Sequence, residues 1–346
     1  MPPAVVLSLL AACTWAAVAA RADTSAFAGA PYDSREFANH EPIEHGFVDA
    51  LRYFVTREHG DWPAPQATPP GPAPQAHVAG ERLVATVVNH SSVLLQTAGL
   101  NLLTDPIWST RASPLGWAGP RRVRPPGLRF EELPPIHAVI LSHNHYDHTD
   151  LPTLERLAQA HDPKFIVPLK NATLLAEAGI SNVTELDWWQ SVALSPQVSV
   201  TAVPVRHWSA RSLFDRNHML WAGFVVEAPG GPVYFAGDTG QGDHFAAAQR
   251  RFGDFRLALL PIGAYLPRWF MHQVHISPAE AVQAHQTLGA ARSVAIHFGT
   301  FPLGDDGVAD GPQALRQARA AAGIAEDAFV IPEFGTGYDI APLPGR

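Results

Sequence analysis

The sequence predicts a layered α/β fold with functional loops at the ends of buried strands. Residues 138–141 form a continuously apolar run, as expected for a strand that is buried on both faces. A polar loop follows, and residues 150–152 (Asp-Leu-Pro) then begin a helical run. Three later strand-like runs end just before His207, Asp238 and His297. Because strands hold the loops at their ends rigid, we expect these loops to carry the chemistry.

Residues 1–22 are predicted to be a signal peptide or a membrane anchor. Residues 4–20 are almost wholly apolar, and residues 20–22 (Ala-Arg-Ala) have the small-x-small form of a signal-peptidase site. Residues 10–13 also have the form of a bacterial lipobox, so a lipoprotein with a lipidated Cys13 is the second alternative. Cys13 is the only cysteine in the sequence, so no disulfide can form within the chain. We expect an exported protein, periplasmic or membrane-associated, with a cytoplasmic protein as the alternative.

Residues 23–80 are predicted to form an N-terminal arm. One amphipathic helix in this arm is expected to dock on the domain, or alternatively to lie on a membrane. The apolar face of that helix consists of Phe47, Leu51, Phe54 and Val55. Residues 64–76 are Pro-rich and predict an extended linker, so a hydrolase domain is expected over residues 81–346.

The domain begins with two or three predicted strands in residues 82–106, where His90 is expected to have a structural role. A basic run follows, which we interpret as a solvated surface, with phosphate contact as the alternative. This run consists of Arg121, Arg122, Arg124 and Arg129. The net charge of -8 argues against nucleic acid as the main partner, because nucleic-acid binders usually show a basic footprint.

The segment ILSHNHYDHTD, residues 140–150, contains four metal-type ligands within six residues: His143, His145, Asp147 and His148. Residues two apart in an extended segment point the same way, so His143 and His145 can hold one cation. Asp147 and His148 then face a second position. Imidazoles and carboxylates suit zinc and related divalent ions, and the density of donors favours two metal ions.

The three later strand ends supply the remaining donors. Asp238 is flanked by Gly237 and Gly240, which permit a tight turn and a close approach of backbone to an ion. A single histidine after a strand is a weak signal in a chain with 17 histidines. With the cluster, however, His207, Asp238 and His297 complete a set of seven ligands.

On these residues the chain resembles the metallo-β-lactamase superfamily, whose HxHxDH motif corresponds to residues 143–148. The segments TDPIWSTRASPLGWAGPRRVRP, AGDTG and AIHFGTFPL further resemble the N-acylphosphatidylethanolamine-hydrolysing phospholipase D branch. The resemblance implies an αββα sandwich with a dinuclear zinc site along one edge of the sheets. It assigns His143, His145 and His207 to one ion and Asp147, His148 and His297 to the other. Asp238 would bridge both ions.

The resemblance implies a zinc-dependent phosphodiesterase that releases N-acylethanolamine and phosphatidic acid. A hydroxide bound between two Zn²⁺ or other divalent metal ions would attack the phosphorus, since bound zinc lowers the pKa of water to about 7. Catalytic roles are expected for Asp147, Asp238 and His275. His275, Arg268 and Trp269 are expected to contact the substrate, although Val274 stands where the family has a glutamine.

Two other functions stay open. One keeps the metal site but attacks a carbonyl, as in lactonases and amide hydrolases of the superfamily. The other is a membrane-tethered lipid- or metal-binding protein without catalysis. The expected partners are a phospholipid substrate and a membrane surface, with a possible homodimer.

Overall fold

Two seven-stranded sheets form the centre of the protein, which the computed structural model describes over residues 29–345. The first sheet contains β1 (Leu83–Asn89), β2 (Ser92–Thr97), β3 (Leu100–Thr104), β4 (Ala138–Ile140), β5 (Lys164–Pro168), β6 (Val183–Leu186) and β14 (Gly337–Ile340). The second contains β7 (Ser191–Ser195), β8 (Val198–Val203), β9 (Gly223–Glu227), β10 (Val233–Phe235), β11 (Leu257–Pro261), β12 (Ser293–Ile296) and β13 (Phe329–Val330). Their spatial orders are β14-β1-β2-β3-β4-β5-β6 and β13-β12-β11-β10-β9-β8-β7.

Helices cover the outer faces of both sheets. The helices within residues 29–345 are α1 (Phe47–Thr56), α2 (Leu151–His161), α3 (Ala172–Glu177), α4 (His244–Phe252), α5 (Arg268–Met271), α6 (Pro278–Thr287) and α7 (Asp310–Ala321). Apolar side chains of α2 and α3 pack on the first sheet, and those of α4, α6 and α7 pack on the second. The predicted α/β class is confirmed, and the layers have the order αββα that the resemblance implies.

Each sheet combines antiparallel and parallel strands. The first sheet is antiparallel from β14 to β3 and parallel from β3 to β6. The second is antiparallel from β7 to β10 and parallel from β10 to β13. Parallel strands end at the same edge of a sheet, so the loops after β3 and β4 lie together, as do those after β10, β11 and β12. Such carboxyl-terminal edges are where open α/β sheets bind ligands.

The predicted strand before the histidine cluster is buried on both faces. Ile140 belongs to the apolar cluster between the sheets, which also contains Phe235 and Leu259 of the second sheet. Val139 faces the other way and packs with Leu154 of α2. Full burial of one such aliphatic side chain stabilises the fold by about 1.5–3 kcal/mol. These contacts fix β4 and therefore the loop that follows it.

The arm helix docks on the domain through a different face from the one predicted. Tyr53 is only 5% exposed, and its ring stacks on that of Phe270 with ring centroids 4.7 Å apart. Leu51, Phe54 and Val55, which belong to the predicted docking face, are 52%, 68% and 77% exposed. Aromatic stacking decides the orientation, and periodicity cannot show which side of a helix meets such a partner.

The Pro-rich segment has no regular secondary structure, and hydrogen bonds hold it on the domain. Residues 57–82 contain no helix or strand, and the amide of Gly71 donates to the carbonyl of Gly127 at 2.7 Å. The predicted signal or anchor, with Cys13, lies outside the described residues. Among residues 29–345, no helix is both long and apolar enough to cross a bilayer.

Candidate metal centre

All seven predicted ligands meet at one edge of the two sheets, with Asp238 at the centre. The Oδ2 atom of Asp238 lies 3.1 Å from Nε2 of His297 and 3.3 Å from Nε2 of His148. The same oxygen lies 3.8 Å from Nε2 of His207 and 4.0 Å from Nε2 of His143. The carboxylate of Asp238 therefore faces histidines of both predicted ligand sets.

Two groups of donors flank this carboxylate. In the first group, Nδ1 of His145 lies 2.8 Å from Nε2 of His143 and 3.4 Å from Nε2 of His207. In the second, Oδ2 of Asp147 lies 3.2 Å from Nε2 of His148 and 3.4 Å from Nε2 of His297. Within each group the donor atoms lie within 4.8 Å of one another, which is close enough to share one ion. The structure thus assembles the two sets that the resemblance implies.

The local backbone explains why these residue types stand at these positions. Gly237 has a φ of +58°, and a Cβ at this residue would lie 2.6 Å from Cβ of Ser142. A Cβ at Gly240 would lie 2.2 Å from the carbonyl oxygen of Gln273. Both glycines therefore permit close packing of the Asp238 turn against neighbouring protein segments, and the predicted approach of backbone to an ion stays a prediction. His297 itself adopts a left-handed φ of +56°, a strained conformation of the kind found at functional sites.

Two further residues contact the predicted ligands, and of these Asp105 was not predicted. Asp105 follows β3, and its Oδ2 lies 2.6 Å from Nδ1 of His148, while its carboxylate also accepts from the amide and hydroxyl of Ser142. His90, expected to be structural, places Nε2 2.9 Å from Oδ2 of Asp147. The position of Asp105 at a strand end is the same signal that identified Asp238, so the pattern could have revealed it.

Electrostatics keep the two carboxylates of the cluster ionised. Burial alone would raise the pKa of Asp147 and Asp238, but the charges of His148 and His297 hold both pKa values well below their usual range. Burial alone would lower the pKa of His297 and His148. The surrounding carboxylates instead raise the pKa of His297 to about 9 and the pKa of His148 well above its ordinary value. The cluster therefore contains fixed negative charge that requires a cationic partner.

The remaining imidazoles are in the neutral form that binds metal ions. Burial lowers the pKa of His145 to about 4 and the pKa of His143 and His207 well below the ordinary value. Nδ1 of His297 and Oδ1 of Asp238 are buried without a hydrogen-bond partner, and Nε2 of His148 and Nε2 of His297 face the carboxylates of Asp147 and Asp238. Buried polar atoms are rarely left without a partner, so this set of donors fits divalent cations.

Of the three predicted substrate contacts, the structure brings only His275 to the cluster. Its Nδ1 lies 3.9 Å from Oδ2 of Asp238, and its side chain is 12% exposed beside that of Asp147 at 13%. Solvent reaches the cluster on this side. Arg268 instead forms an ion pair with Glu280 at 2.7 Å and donates to the carbonyl of His275 at 2.8 Å. Phosphate contact by Arg268 is thus unsupported, because protein acceptors already hold its guanidinium.

Trp269 lies on α5 facing the arm. The guanidinium of Arg52 lies over the Trp269 ring at 4.5 Å from its centroid. Its role as a substrate contact stays a prediction.

The basic run is not uniformly solvated, contrary to our interpretation. Arg122 is only 7% exposed and donates to the carbonyls of Ser109 and Ile107. Arg124 is half-buried with its guanidinium over the Phe334 ring. These contacts are tertiary, and nothing in the spacing of the arginines indicates them.

Comparison with known proteins identifies relatives by sequence. Residues 100–298 match the beta-lactamase superfamily domain. The chain is 41% identical over 233 residues to N-acyl-phosphatidylethanolamine-hydrolyzing phospholipase D 1 of Caenorhabditis elegans, a match that covers 64% of this chain and 65% of that protein. It is 35% identical to the mitochondrial protein of that name from Saccharomyces cerevisiae, over 68% of this chain and 52% of the yeast protein. The matches thus span less than two thirds of both relatives.

Solved structures share the fold at low sequence identity. One is the isothiocyanate hydrolase from Delia radicum gut bacteria, with a TM-score of 0.60 and 23% identity. The alignment covers 75% of this chain and 99% of that hydrolase. The fold and the sequence relatives are those of metal-dependent hydrolases, and the resemblance read from the motifs is confirmed.

Proposed function

This chain belongs to the beta-lactamase superfamily, and we propose that within it the protein is a metal-dependent phosphodiesterase of phospholipase D type. Its substrate is N-acylphosphatidylethanolamine or a related phospholipid, which it hydrolyses to N-acylethanolamine and phosphatidic acid. The observation that carries hydrolysis is the convergence of five imidazoles on Oδ2 of Asp238, four of which belong to predicted ligands. The similarity to the nematode and yeast phospholipases supports the substrate class.

Two Zn²⁺ or other divalent ions would be held by the two donor groups. His143, His145 and His207 would hold one ion, Asp147, His148 and His297 the other, and Asp238 would contact both. When bound, such ions lower the pKa of a water and neutralise charge on phosphate oxygens. The ionised carboxylates, the imidazole nitrogens that face them and the unpartnered Oδ1 of Asp238 support this loading.

The chain's own residues would orient the donors and the substrate. The carboxylate of Asp105 holds the proton of His148 on Nδ1, which directs Nε2 toward the cluster. The carbonyl of Val274 does the same at Nδ1 of His207, 3.0 Å away. His275, at the exposed side, is placed to contact a substrate oxygen. Burial lowers the pKa of His275 to about 4, so its ring is neutral near pH 7.

A lipid panel tests the reaction. Purified protein with its metals restored should release phosphatidic acid from N-acylphosphatidylethanolamine, as read by mass spectrometry. Lactones and N-acyl amides in the same panel test attack on a carbonyl. Lactone opening without phosphatidic acid would refute the lipid assignment, and turnover of neither class would favour a binding protein. Metal analysis should yield two ions per chain, and a lower content would refute the dinuclear centre.

Replacement of the central carboxylate should abolish turnover. We expect Asp238→Asn to lower activity by at least about 100-fold, because the neutral amide cannot supply the charge that both donor groups face. Circular dichroism should show an intact fold. Asp243→Asn, at an exposed position five residues away, is the matched control and should keep activity. If Asp238→Asn retained turnover, the assignment of Asp238 as the ligand shared by both ions would be refuted.

We further propose that the protein acts at a membrane surface after export. The apolar N-terminal run and the phospholipid substrate support this placement. Fractionation of cells that express the untagged protein should find it in the periplasmic or membrane fraction. Recovery from the cytoplasm alone would contradict export. A homodimer is compatible with the proposal, and light scattering of the purified protein would detect it.

A further inference from the structure

The N-terminal arm crosses the edge of the sheets that carries the metal centre. We call residues 37–44 the strap. Phe37 anchors one end of it, since this side chain is 4% exposed within the apolar layer between the sheets. Its amide also donates to the carbonyl of Asn217 at 2.8 Å. The strap lies outside residues 100–298, which match the superfamily domain.

Asn39, in the strap, binds both backbone groups of the predicted ligand His207. The amide of His207 donates to Oδ1 of Asn39 at 3.0 Å, and Nδ2 of Asn39 donates to the carbonyl of His207 at 2.8 Å. Nε1 of Trp221 also donates to Oδ1 of Asn39, at 3.2 Å. With two donors on one side and a carbonyl on the other, only one orientation of the Asn39 side-chain amide satisfies all partners.

We propose that Asn39 is a positioning residue for the metal centre, acting by clamping the backbone of His207. This inference rests on the proposed metal centre but not on the identity of the substrate. His207 lies four residues beyond the end of β8, so its amide and carbonyl have no place in the sheet ladder. The side chain of Asn39 substitutes for a neighbouring strand, because it offers one acceptor and one donor at the spacing of a peptide group.

The clamp fixes the direction of the His207 ring. Asn39 holds the backbone, and the carbonyl of Val274 lies 3.0 Å from Nδ1 of the ring. Nε2 is thereby directed at Nδ1 of His145 and Oδ2 of Asp238. Removal of Asn39 would free the backbone and let the ring tilt away from its partners. Such outer contacts typically contribute about 10–100-fold to metal affinity.

The strap also connects the His207 loop to the His275 loop. At its far end, the amide of Glu44 donates to Oε1 of Gln273 at 2.7 Å. In its middle, the carbonyl of Pro42 accepts from the guanidinium of Arg206, next to His207, at 3.0 Å. The strap is therefore bonded to both loops, and a segment outside the matched domain completes the support of the centre.

Zinc affinity tests the clamp independently of any substrate. We expect Asn39→Ala to lower the zinc affinity of one of the two sites by about 10–100-fold, while the other site keeps its affinity. Equilibrium competition with a chelator measures both affinities. Asn101→Ala is the matched control. Nδ2 of Asn101 likewise donates to backbone carbonyls, those of Ala76 and Pro135, but at the opposite end of β3 from the centre. This variant should lose thermal stability yet keep both affinities.

The outcomes separate the clamp from ordinary structural support. The proposal would be overturned if Asn39→Ala and Asn101→Ala had equal zinc affinities. It would also be overturned if Asn39→Ala lowered the affinity of both sites equally and lowered the Tm of the metal-free protein. Asn39→Ser, whose hydroxyl cannot reach both backbone groups, should show the same selective loss and serves if Asn39→Ala does not fold. A wild-type protein that binds no zinc would refute both the centre and the clamp. One that binds two ions but releases no phosphatidic acid would refute the proposed function alone.

Discussion

A buried carboxylate requires a positive partner, and this requirement determines the protonation of the histidines around Asp147 and Asp238. Among the protein groups alone, His148 and His297 supply that charge, which is why their pKa values are raised although burial opposes it. His143, His145 and His207, which lie farther from Asp147, stay neutral. A divalent ion placed among these groups would take over the role of the two protons.

Metal binding should therefore release protons. His297, with a pKa of about 9, is protonated at pH 7 before an ion binds and must lose that proton to become a ligand. The apparent zinc affinity should then rise with pH up to about 9. Calorimetry in buffers of different ionisation enthalpy would count the protons released, and His297→Gln should release fewer. His285→Gln, a buried histidine that contacts Ser293 instead, should release as many as the wild type. If the enthalpy of zinc binding did not depend on the buffer, no protons would be released and the predicted loss of the His297 proton would be wrong.

The arm shows what an element's periodicity can and cannot predict. The apolar spacing in α1 identified a helix, yet Tyr53 and Arg52 form its contacts with Phe270 and Trp269 of α5. A hydrophobic face and an aromatic stack are alternative ways to dock, and only the tertiary partner decides between them. The exposed residues Leu51, Phe54 and Val55 keep the membrane alternative open as a prediction.

Stability measurements on α1 distinguish the two faces. Tyr53→Ala should lower the free energy of unfolding by about 2–4 kcal/mol, since it removes a buried ring and its stacking on Phe270. Phe54→Ala, the next residue, should cost less than about 0.5 kcal/mol because that side chain is 68% exposed. Urea titration of both variants provides the comparison. An equal loss in both would mean that the exposed face is covered in solution.

Across the whole molecule, sequence predicts what is local and misses what depends on the packing of distant segments. His143 to His148 and the three later strand ends follow from patterns within about ten residues. Asn39 forms hydrogen bonds with His207, which lies 168 residues further along the chain. The Arg122 guanidinium donates to a backbone carbonyl that no sequence motif predicts. Asp105 is an intermediate case. The sequence predicts its position at the end of a strand but does not predict its contact with His148.

Acid lability is the whole-molecule consequence of burying so many neutral histidines, and His244, which is not one of the predicted ligands, tests it. This residue begins α4, with Nε2 3.1 Å from Oγ1 of Thr239, and burial lowers its pKa from 6.5 to about 3. The unfolded chain therefore binds a proton below pH 6.5 that the folded protein excludes. The contribution of His244 to the free energy of unfolding is fully present above about pH 6.5 and is lost progressively as the pH falls toward 3. By pH 5 the loss is about 2 kcal/mol.

The free energy of unfolding of His244→Gln should consequently fall less between pH 7 and pH 5 than that of the wild type, by about 2 kcal/mol. Urea unfolding at the two pH values, on metal-free protein, measures this difference. His59→Gln, at an exposed position in the arm, is the control for the loss of one histidine. If His244→Gln loses as much stability as the wild type over this range, the folded protein must admit the proton at His244. The loop that carries Asp238 and Thr239 would then be less tightly packed than its contacts indicate.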